Sequence, residues 1–445
     1  MQRGFYYILS AQFFSSLADN ALLIAAICLL GQMHAPEWMT PLLRLFFVIS
    51  YVVLAAYVGI FADSMPKGRV MFITNMLKIL GCLLMLVCVH PLLAYAVVGI
   101  GAAAYSPAKY GILTELLPPE KLVIANSWME GLTVVSIIVG VMLGGILVHP
   151  HTTEVILSTG FPFKALSMDS TAQVAICCVT AIYILAALFN LMIPDTGARY
   201  AKSDFRPLET LKGFYSNCRV LWHDSLGQIS LSVTTLFWGA GAVLQFLVLA
   251  WANEVLGMDL SSAAILQAVV SIGVALGAVL AAKYISLKNS LSVLIMGVLM
   301  GAMVALTAFF KTSFFPEGGI TLGSFFISWP LLAASAIMVA VGICAGFFVV
   351  PMNALLQHRG YVLMSAGRSI AVQNFNENTS ILVMLGIYSL LIMTGLTVQE
   401  IMFIFGAFVA FAMALVILKH RINQKRSASV HLIGEDRHED AHGNL

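Results

Sequence analysis

Five charged side chains lie within long apolar runs of the sequence, where a charge needs either a partner or a function. They are Asp19, Lys78, Lys109, Glu130 and Glu377. A charge at the centre of a membrane-spanning helix costs about 2.5–3.5 kcal/mol on insertion scales, and residues of this kind often line substrate or ion pathways. These five residues are therefore the first candidates for a binding or gating site.

Asp19 and its neighbour Asn20 lie in the run QFFSSLADNALL, close to two serines. At helical spacing, Ser15 and Ser16 can share hydrogen bonds with these side chains. Such a group of polar residues either lines a polar cavity or joins one helix to another through hydrogen bonds. For Asp19 we favour the cavity, and the helix contact remains the alternative.

Lys109 follows Pro107 in the run AAAYSPAKYG, and three uses of its charge stay open. It binds a phosphate, it pairs with Asp19 in one conformation, or it extends to the cytoplasmic edge of the membrane, because it lies about one turn from the end of its apolar run. For Lys78 we expect a partner within its own half of the chain.

Glu377 lies in the run QNFNENTS, where four amide side chains surround it: Gln373, Asn374, Asn376 and Asn378. So many amides are unfavourable against lipid, because each one needs hydrogen-bond partners. We therefore expect this helix to face water or a substrate, with Asn374 and Glu377 as candidate contacts. Glu130 has only Asn126 and Ser127 nearby, so a structural and a functional role are equally supported.

Membrane-spanning helices must position these residues. Hydrophobic residues make up 60% of the chain and charged residues only 10%, whereas soluble proteins have roughly 25% charged residues. This composition excludes a soluble enzyme, a disulfide scaffold and a nucleic-acid-binding protein. Because a chain in hydrocarbon must satisfy its own backbone hydrogen bonds, we predict an all-α membrane protein. Twelve apolar segments are long enough to span a bilayer, at about 6–32, 41–62, 70–89, 91–114, 122–148, 172–193, 228–252, 261–283, 290–310, 330–352, 368–394 and 399–418.

The sequence gives no sign of cofactor chemistry. The seven cysteines lack metal-site and redox-pair spacing, so we predict that they are small apolar side chains. No GxxxxGK[ST] phosphate-binding loop occurs, and we expect no cofactor, no metal site and no ATP hydrolysis. The first apolar run is too long for a cleaved signal peptide and is predicted to be the first span.

The longest polar stretch between the predicted spans divides them into two sets of six. We predict an N-terminal six-helix bundle at 1–193, a cytoplasmic linker at 194–227, a C-terminal six-helix bundle at 228–420 and a disordered cytoplasmic tail at 421–445. Each half has a proline late in its fourth span and a glutamate in its fifth. This echo indicates a duplication, as in transporters whose halves rock about a central site.

Basic residues predict the orientation in the membrane. Of the 23 lysines and arginines, 18 flank the predicted spans on one side. Arg44, Lys164 and Lys311 lie on the other side, and Lys78 and Lys109 lie within spans. The positive-inside rule then places both termini in the cytoplasm.

The segment GIFADSMPKGR between the second and third spans is the most specific motif. Gly59 permits two helix ends to pack closely, and Asp63 can meet the N-terminus of a neighbouring helix. Lys67 and Arg69 can bind acids or the cytoplasmic surface. The pattern resembles the signature loop of the major facilitator superfamily. That resemblance implies the superfamily's fold, twelve helices in two six-helix bundles, and a conformational latch formed by these four residues.

Six longer runs are similar to the bacterial lysophospholipid transporter (LplT) family within that superfamily. They are QFFSSLADNALL, GRVMFITNMLKILG, GAAAYSPAKYGILTELL, LFWGAGAVLQFLVL and GFFVVPMNALLQHRG with the later AVQNFNENTSILVMLGIYSL. The resemblance implies a flippase that moves lysophospholipids, such as lysophosphatidylethanolamine, from the outer to the inner leaflet of the bacterial inner membrane. It also implies a separate partner, the acyltransferase/acyl-carrier-protein synthetase Aas, which restores the missing acyl chain.

A zwitterionic headgroup needs an acid for its ammonium and a cation or amide for its phosphate. Asp19 and Glu377 are the candidates for the ammonium or for gate ion pairs, and Lys109 is the candidate for the phosphate. The sequence departs from the family at Gln245, where the family pattern has an arginine after the WGAG of the seventh span. Because an amide cannot form an ion pair with Asp19, a gate built on that pair would differ here.

Two other functions remain open at this point. A proton-coupled exporter of amphipathic drugs on the same fold would use Asp19 or Glu377 as its proton site. An integral membrane acyltransferase would act on the same lipids, although the sequence lacks an ordered histidine and aspartate pair for that chemistry.

Overall fold

The computed structural model of the chain describes residues 3–35, 39–158, 170–200, 206–258, 260–322, 325–426 and 433. Within these residues the chain forms fifteen α-helices, three short 3-10 segments and one two-stranded antiparallel sheet. Long helices dominate because each satisfies its own backbone hydrogen bonds, which is what an apolar surrounding requires.

The first eight helices carry the Asp19 region and the predicted latch. They are α1 (Arg3–Gln32), α2 (Met39–Val53), α3 (Ala55–Asp63), α4 (Lys67–Leu86), α5 (Pro91–Leu116), α6 (Leu122–Leu147), α7 (Pro150–Ser158) and α8 (Thr171–Leu191). A 3-10 turn at Pro119–Lys121 leads into α6. α2 and α3 meet at Leu54 with a bend of 67°, so together they form one broken span.

The remaining elements follow α8. The helices are α9 (Pro207–His223), α10 (Gly227–Leu256), α11 (Leu260–Tyr284), α12 (Leu294–Thr307), α13 (Trp329–Leu363), α14 (Ala366–Met393) and α15 (Val398–Arg426). The 3-10 segment Leu287–Val293 leads into α12. Strands β1 (Gly319–Leu322) and β2 (Phe325–Ser328) form an antiparallel hairpin between α12 and α13.

The predicted set of apolar spans is confirmed in the described part of the chain. Eleven helices are long and apolar enough to cross a membrane, and the bent pair of α2 and α3 makes a twelfth. Each predicted segment lies on one of them. The bend at Leu54 was not predicted, because the mainly apolar residues 45–58 around it contain neither proline nor glycine.

Two further elements lie where only loops were predicted. α9 lies within the predicted linker 194–227; it has polar and charged side chains on one face and is too short to count as a span. The hairpin lies within the loop after α12. α15 extends to Arg426 and so into the predicted tail. Residues 427–432 and 434–445, on which the prediction of a disordered tail mainly rests, lie outside the described residues.

Packing divides the chain into two compact units. The first comprises Met1–Pro118, Leu132–Arg219 and Leu363–Phe375, and the second comprises Pro119–Gly131, Val220–Val362 and Asn376–Leu445. α6, α9 and α14 therefore contribute residues to both units, and α13 does so through its last residue, Leu363. The predicted six-helix halves at 1–193 and 228–420 stay a prediction.

In the first unit, α4 packs against both α5 and α8, and α1 packs along α8. Small residues allow the backbones to approach. A Cβ at Gly81 of α4, for example, would lie 2.4 Å from Cγ2 of Val98 on α5. Alanines and branched side chains of these helices then fill a continuous apolar core around Tyr183.

In the second unit, α12 packs along α15, and α10 contacts α11 and α15. A Cβ at Gly301 of α12 would lie 2.3 Å from the backbone nitrogen of Ala410, and a Cβ at Gly406 of α15 would lie 2.2 Å from that of Ala305. The two helices thus touch through their backbones, as membrane helices commonly do at small residues.

Candidate functional site

Asp19 and Lys78 form an ion pair in the first unit. Asp19 lies in the middle of α1 and Lys78 lies in α4, and the Lys78 Nζ is 2.9 Å from each carboxylate oxygen. The Lys78 side chain is 1% exposed, whereas the Asp19 side chain is 21% exposed. The pair therefore buries its cation and leaves part of its carboxylate accessible.

Polar and aromatic side chains complete the surroundings of this pair. The Tyr183 hydroxyl of α8 donates to Asp19 Oδ1 at 2.6 Å, and the Lys78 Nζ donates to Ser15 Oγ at 3.0 Å. The same Nζ lies 5.0 Å from the ring centroid of Tyr105, within the range of a cation–π interaction. A buried ammonium is stable only when its charge and its N–H groups are satisfied, and these contacts satisfy them.

Gly101 of α5 makes room for the Lys78 side chain. A Cβ at this position would lie 2.8 Å from Lys78 Cγ and 2.8 Å from the carbonyl oxygen of Thr74. The glycine thus lets α5 approach α4 where the apolar stem of Lys78 passes. The position of the Lys78 ammonium beside Asp19 therefore depends in part on Gly101.

Asn20 and Lys109 lie in the same unit and contact other groups. Asn20 Nδ2 donates to the backbone carbonyl of Ser16 at 2.8 Å, one turn earlier in α1. Lys109 is half-buried, and its Nζ lies 4.2 Å from the ring centroid of Tyr110. Among the described residues, the cation at Asp19 is Lys78 rather than Lys109.

The amide-rich part of α14 is buried at Gln373, Asn374 and Glu377 and half-buried at Asn376 and Asn378. Asn374 Nδ2 donates to Ser106 Oγ at 2.9 Å within the first unit, three residues before Lys109 in α5. Asn376 Oδ1 accepts a hydrogen bond from Trp222 Nε1 at 3.2 Å within the second unit. Glu377 belongs to the second unit and is 6% exposed. Glu130, the other intramembrane glutamate, is similarly buried there.

Asp63, Lys67 and Glu115 form a buried charge cluster where α3 ends. The Lys67 side chain is 2% exposed; it pairs with Asp63, and its Nζ lies 3.4 Å from Glu115 Oε1. Glu115 also accepts hydrogen bonds from the Thr196 hydroxyl at 2.8 Å and the Tyr200 hydroxyl at 2.7 Å. One ammonium and two hydroxyls thus compensate two buried acids.

Asp63 also binds the first turn of α14. Its carboxylate accepts a hydrogen bond from the Ser365 hydroxyl, and the Gly367 N–H donates to its Oδ1 at 3.0 Å. An acid at a helix N-terminus is stabilised by the unpaired N–H groups and by the helix dipole. The approach needs glycine on both sides: a Cβ at Gly59 would lie 2.9 Å from Ala371 Cβ, and one at Gly367 would lie 2.5 Å from Asp63 Oδ1.

Of the four predicted latch residues, Arg69 is the exposed one. The Arg199 guanidinium, which donates hydrogen bonds to Asp195, lowers the pKa of that exposed carboxyl to about 2, and the charge of Arg69 adds a smaller effect in the same direction. Arg69 therefore contributes to the charge of the surface beside the cluster, whereas Lys67 acts inside it.

Two polar contacts join α13 to other segments of the second unit. The amides of Asn126 in α6 and Gln357 in α13 are buried and exchange two hydrogen bonds of 2.9 Å. Two residues further on, Arg359 donates to both carboxylate oxygens of Asp224 at 2.6 and 3.2 Å. Asp224 also accepts the N–H of Gly227 at 2.7 Å and so caps α10.

Gln245 is exposed on α10 and lines a cavity inside the second unit. The cavity has a volume of about 160 Å³ and is bounded by α10, α11, α12, α13 and α15. Its lining is mainly apolar, with Gln267 and Ser271 of α11 as the other polar residues.

Several residues at these contacts were not predicted from the sequence: Tyr183, Glu115, Ser365, Gly367 and Gln357. Glu115 lies just past the predicted end of the fourth span, where a charge is ordinary, and Gly367 precedes a span like many other small residues. Tyr183 carried a signal, because a tyrosine in an apolar span needs a hydrogen-bond partner for its hydroxyl.

Sequence comparison relates the chain to membrane transporters. A profile of the Major Facilitator Superfamily matches residues 8–375. The lysophospholipid transporter LplT of Yersinia pestis (strain Pestoides F) is 41% identical over 402 residues, which cover 90% of this chain and 90% of the relative.

Structural comparison finds the same fold in solved transporters. FucP, a Major Facilitator Superfamily transporter in the outward conformation, matches with a TM-score of 0.66 and 16% identity over 94% of this chain and 98% of FucP. A bacterial homologue of the iron transporter ferroportin, in the outward-facing state, matches with a TM-score of 0.65 and 16% identity over 96% of this chain and all of that one. At these identities the likeness concerns the fold alone.

Proposed function

The chain belongs to the major facilitator superfamily and, within it, to the family of the lysophospholipid transporter LplT, and from this premise we propose that it moves lysophospholipids across the bacterial inner membrane. The proposed direction is from the outer to the inner leaflet, by alternating access. The observation that supports lysophospholipids as the substrate class is the 41% identity to LplT over 90% of the chain.

The surroundings of Asp19 fit the headgroup of lysophosphatidylethanolamine. The ammonium of the headgroup needs an accessible acid, and the Asp19 carboxylate is partly exposed while its neutralising partner Lys78 is buried. The phosphate needs a cation, for which we propose Lys109. Asn374 supports this placement, because it contacts Ser106 one turn before Lys109. Glu377 and Gln245, which belong to the second unit, are proposed as further contacts of the substrate.

Gly59, Asp63, Lys67 and Arg69 are proposed to act as a conformational latch. The contact that supports this role is the one from Asp63 to Ser365 and the Gly367 N–H at the start of α14. Loss of these two hydrogen bonds would release the first turn of α14 from α3. Transport would then require the latch to break and to form again in every cycle.

We further propose that both termini and α9 lie in the cytoplasm, with six-helix bundles at 1–193 and 228–420. The excess of basic residues on one predicted side supports this orientation. The transported lysophospholipid then reaches the leaflet where a separate acyltransferase, Aas, can restore its second chain.

Reconstitution tests the function. Purified full-length protein is placed in liposomes, labelled lysophosphatidylethanolamine is added to the outer leaflet, and albumin then extracts the label that has not moved. We expect protein-dependent protection of chemically unchanged lipid. A newly acylated product would instead indicate an acyltransferase, and no protection above that of protein-free liposomes would reject lysophospholipid transport. Runs with and without proton and sodium gradients identify the coupling.

Asp19→Asn is the matched test of the site. We expect it to abolish protection from albumin, because an amide cannot neutralise the headgroup ammonium. Asp195→Asn is the control, because Asp195 is an exposed aspartate outside the spans that pairs with Arg199 on the surface. Full transport by the Asp19 variant would remove this residue from the binding site.

A further inference from the structure

Another cavity adjoins the latch residue Gly59 and is lined by residues of the first unit. It is bounded by α3, by α9 with the preceding Arg206, and by the first turns of α14. Its volume is about 440 Å³, which lies within the range of about 300–1,000 Å³ for sites that bind small molecules. A ligand in this cavity would contact both helices that meet at the latch.

The lining of this cavity is rich in side chains that donate hydrogen bonds. They are two guanidinium groups, two hydroxyls and one amide, from Arg206, Thr210, Ser216, Asn217 and Arg368. Among the lining residues that the structure describes, Glu209 is the acid. Two arginines against one glutamate leave a net charge of +1. Donors and positive charge together favour an anionic ligand.

Arg368 is the cation of this cavity that lacks a counter-charge. Its side chain is half-buried in the first turn of α14, and no acid forms a salt bridge with it in the part of the chain that the structure describes. Glu209 does not supply this charge, because it pairs with Arg206 at 3.0 Å. A charge that is partly removed from water needs an anion or hydrogen-bond acceptors to replace its hydration. A ligand with negative charge would satisfy Arg368.

The neutral donors indicate which anion fits. Within the described residues, the side chains of Thr210, Ser216 and Asn217 make no hydrogen bond to one another or to other residues. Thr210 is buried, and buried polar groups are normally hydrogen-bonded to protein, water or a ligand. A phosphate group can accept hydrogen bonds from several donors at once, and a guanidinium can bind two of its oxygens in parallel. The volume leaves room for an organic group attached to the phosphate.

We propose that this cavity binds an anionic phosphate ester, with Arg368 as its main charge partner, and that the bound ligand joins α3, α9 and the start of α14. The ester is either the headgroup of an anionic phospholipid or a soluble glycerol phosphate, which present the same chemistry to the site. No residue of the Asp19 and Lys78 ion pair lines the cavity. The proposal is therefore independent of the substrate that the protein transports.

Thermal unfolding of the full-length protein in maltoside detergent, which carries no phosphate, tests the site. The ligands are dioctanoyl phosphatidylglycerol and glycerol phosphate, and dioctanoylglycerol is the control without phosphate. We expect a saturable rise in unfolding temperature with a phosphate ester and none with dioctanoylglycerol, because a ligand that binds the folded state stabilises it. A rise with the phospholipid alone identifies a lipid headgroup, and a rise with glycerol phosphate identifies a soluble ester. No rise with either would overturn the proposal.

Variants of two arginines test the assigned partner. Arg368→Gln should raise the dissociation constant at least about tenfold, since a charged hydrogen bond is lost, and Arg368→Lys should recover part of the affinity. Arg199→Gln is the matched control, because Arg199 is an exposed arginine that pairs with Asp195 and does not line the cavity. It should bind like the unmodified protein. Unchanged binding by Arg368→Gln, or an equal loss in Arg199→Gln, would contradict the assignment.

Hydrogen exchange locates the ligand without any variant. Binding of the phosphate ester should slow amide exchange in α9 and in the first turns of α14, because the ligand contacts both elements. α12 is the internal control, because it belongs to the second unit and does not line this cavity. Its exchange should not change. Protection of α12 without protection of α9 would place the ligand elsewhere and overturn the proposal.

Discussion

At the residue scale, the two charges of the ion pair between Asp19 and Lys78 differ in how far they are buried. Lys78 is enclosed by Ser15, Tyr105 and Tyr183, so its charge is compensated by groups that cannot leave with a substrate. Asp19 keeps one side open. A partly exposed acid held by a buried cation can bind and release an external ammonium without leaving an uncompensated charge in the interior.

Removing this pair in steps separates stability from transport. Asp19→Asn leaves the Lys78 ammonium buried without a counter-charge, and we expect a loss of stability on the order of 3 kcal/mol. Lys78→Met leaves an acid that is 21% exposed and can be hydrated, so its loss should be smaller. The double variant should recover most of the stability without recovering transport. Thermal unfolding of the purified protein and the liposome assay measure the two effects.

The single variants provide the internal comparison for this prediction. Equal unfolding temperatures of Asp19→Asn and Lys78→Met would contradict the proposed difference in burial. Transport by the double variant would show that the headgroup does not need an acid at position 19.

The candidate residues inside spans were predictable because intramembrane charge is rare, whatever its partner. A partner for Lys78 within its own half of the chain was expected, but that this partner is Asp19 was not predictable. Lys78 and Lys109 are both cations in apolar runs of the first half, and the choice between them depends on which face of α4 and α5 meets α1. That choice follows from close contacts such as the one at Gly101, which a single sequence does not specify.

At the scale of the elements, glycine at two positions brings α3 and α14 together. Gly59 and Gly367 remove the two side chains that would otherwise separate the helices, and Asp63 then reaches the N–H of Gly367. The latch therefore depends on backbone approach as much as on charge. The motif GIFADSMPKGR was recognised from the sequence, but its partner Ser365-Ala-Gly367 has no distinctive pattern.

Gly367→Ala should break this contact. Its new Cβ would lie 2.5 Å from Asp63 Oδ1 and 2.7 Å from the Gly59 carbonyl oxygen, so α14 must move away and the hydrogen bond is lost. We expect reduced transport in the liposome assay. Gly386→Ala is the control in the same helix, because nothing lies within 4 Å of its Cβ position.

For the control variant Gly386→Ala we also expect a small change in stability. Alanine is favoured over glycine in a helix interior by roughly 0.5–1 kcal/mol, so Gly386→Ala should raise the unfolding temperature slightly and leave transport unchanged. If Gly367→Ala behaves in the same way, the close approach of α3 and α14 is not needed for function.

The amide pair of Asn126 and Gln357 predicts a second measurable effect. Gln357→Leu leaves Asn126 Oδ1 buried without its donor, and we expect a loss of stability of about 1–3 kcal/mol. Replacing both residues by leucine removes both polar groups and should recover much of that loss, since no buried group then lacks a partner. Thermal unfolding of the single and double variants checks this. A double variant as unstable as Gln357→Leu would contradict it.

The apolar spans were predictable from length and composition, and the break between α2 and α3 was not. Ser50 to Tyr57 are apolar enough for one straight helix, and the bend is a property of packing. α9 was not predicted, because its charged residues and its length of 17 residues are typical of a linker. Its apolar face nevertheless includes Phe214, which packs beside Val58 and Ala371.

At the scale of the whole molecule, the orientation in the membrane is the prediction with the widest consequences. In a cysteine-free background, Lys311→Cys and Lys212→Cys place single thiols at exposed positions after α12 and within α9. We expect an impermeant maleimide to label Lys311→Cys in intact cells and Lys212→Cys only in inverted membranes. The opposite pattern would reverse the proposed direction of transport and would remove Aas as the consumer of the product.

The break at Leu54 makes α3 a short rigid arm with the latch residues near its far end. α3 has nine residues from Ala55 to the tip at Asp63, a rise of roughly 12 Å, so a rotation of about 10° at the break moves the tip by roughly 2 Å. That displacement exceeds what a hydrogen bond tolerates. A small rotation at Leu54 therefore suffices to break the hydrogen bonds between the Asp63 carboxylate and the start of α14. The event that triggers this break can act at the bend rather than at Asp63.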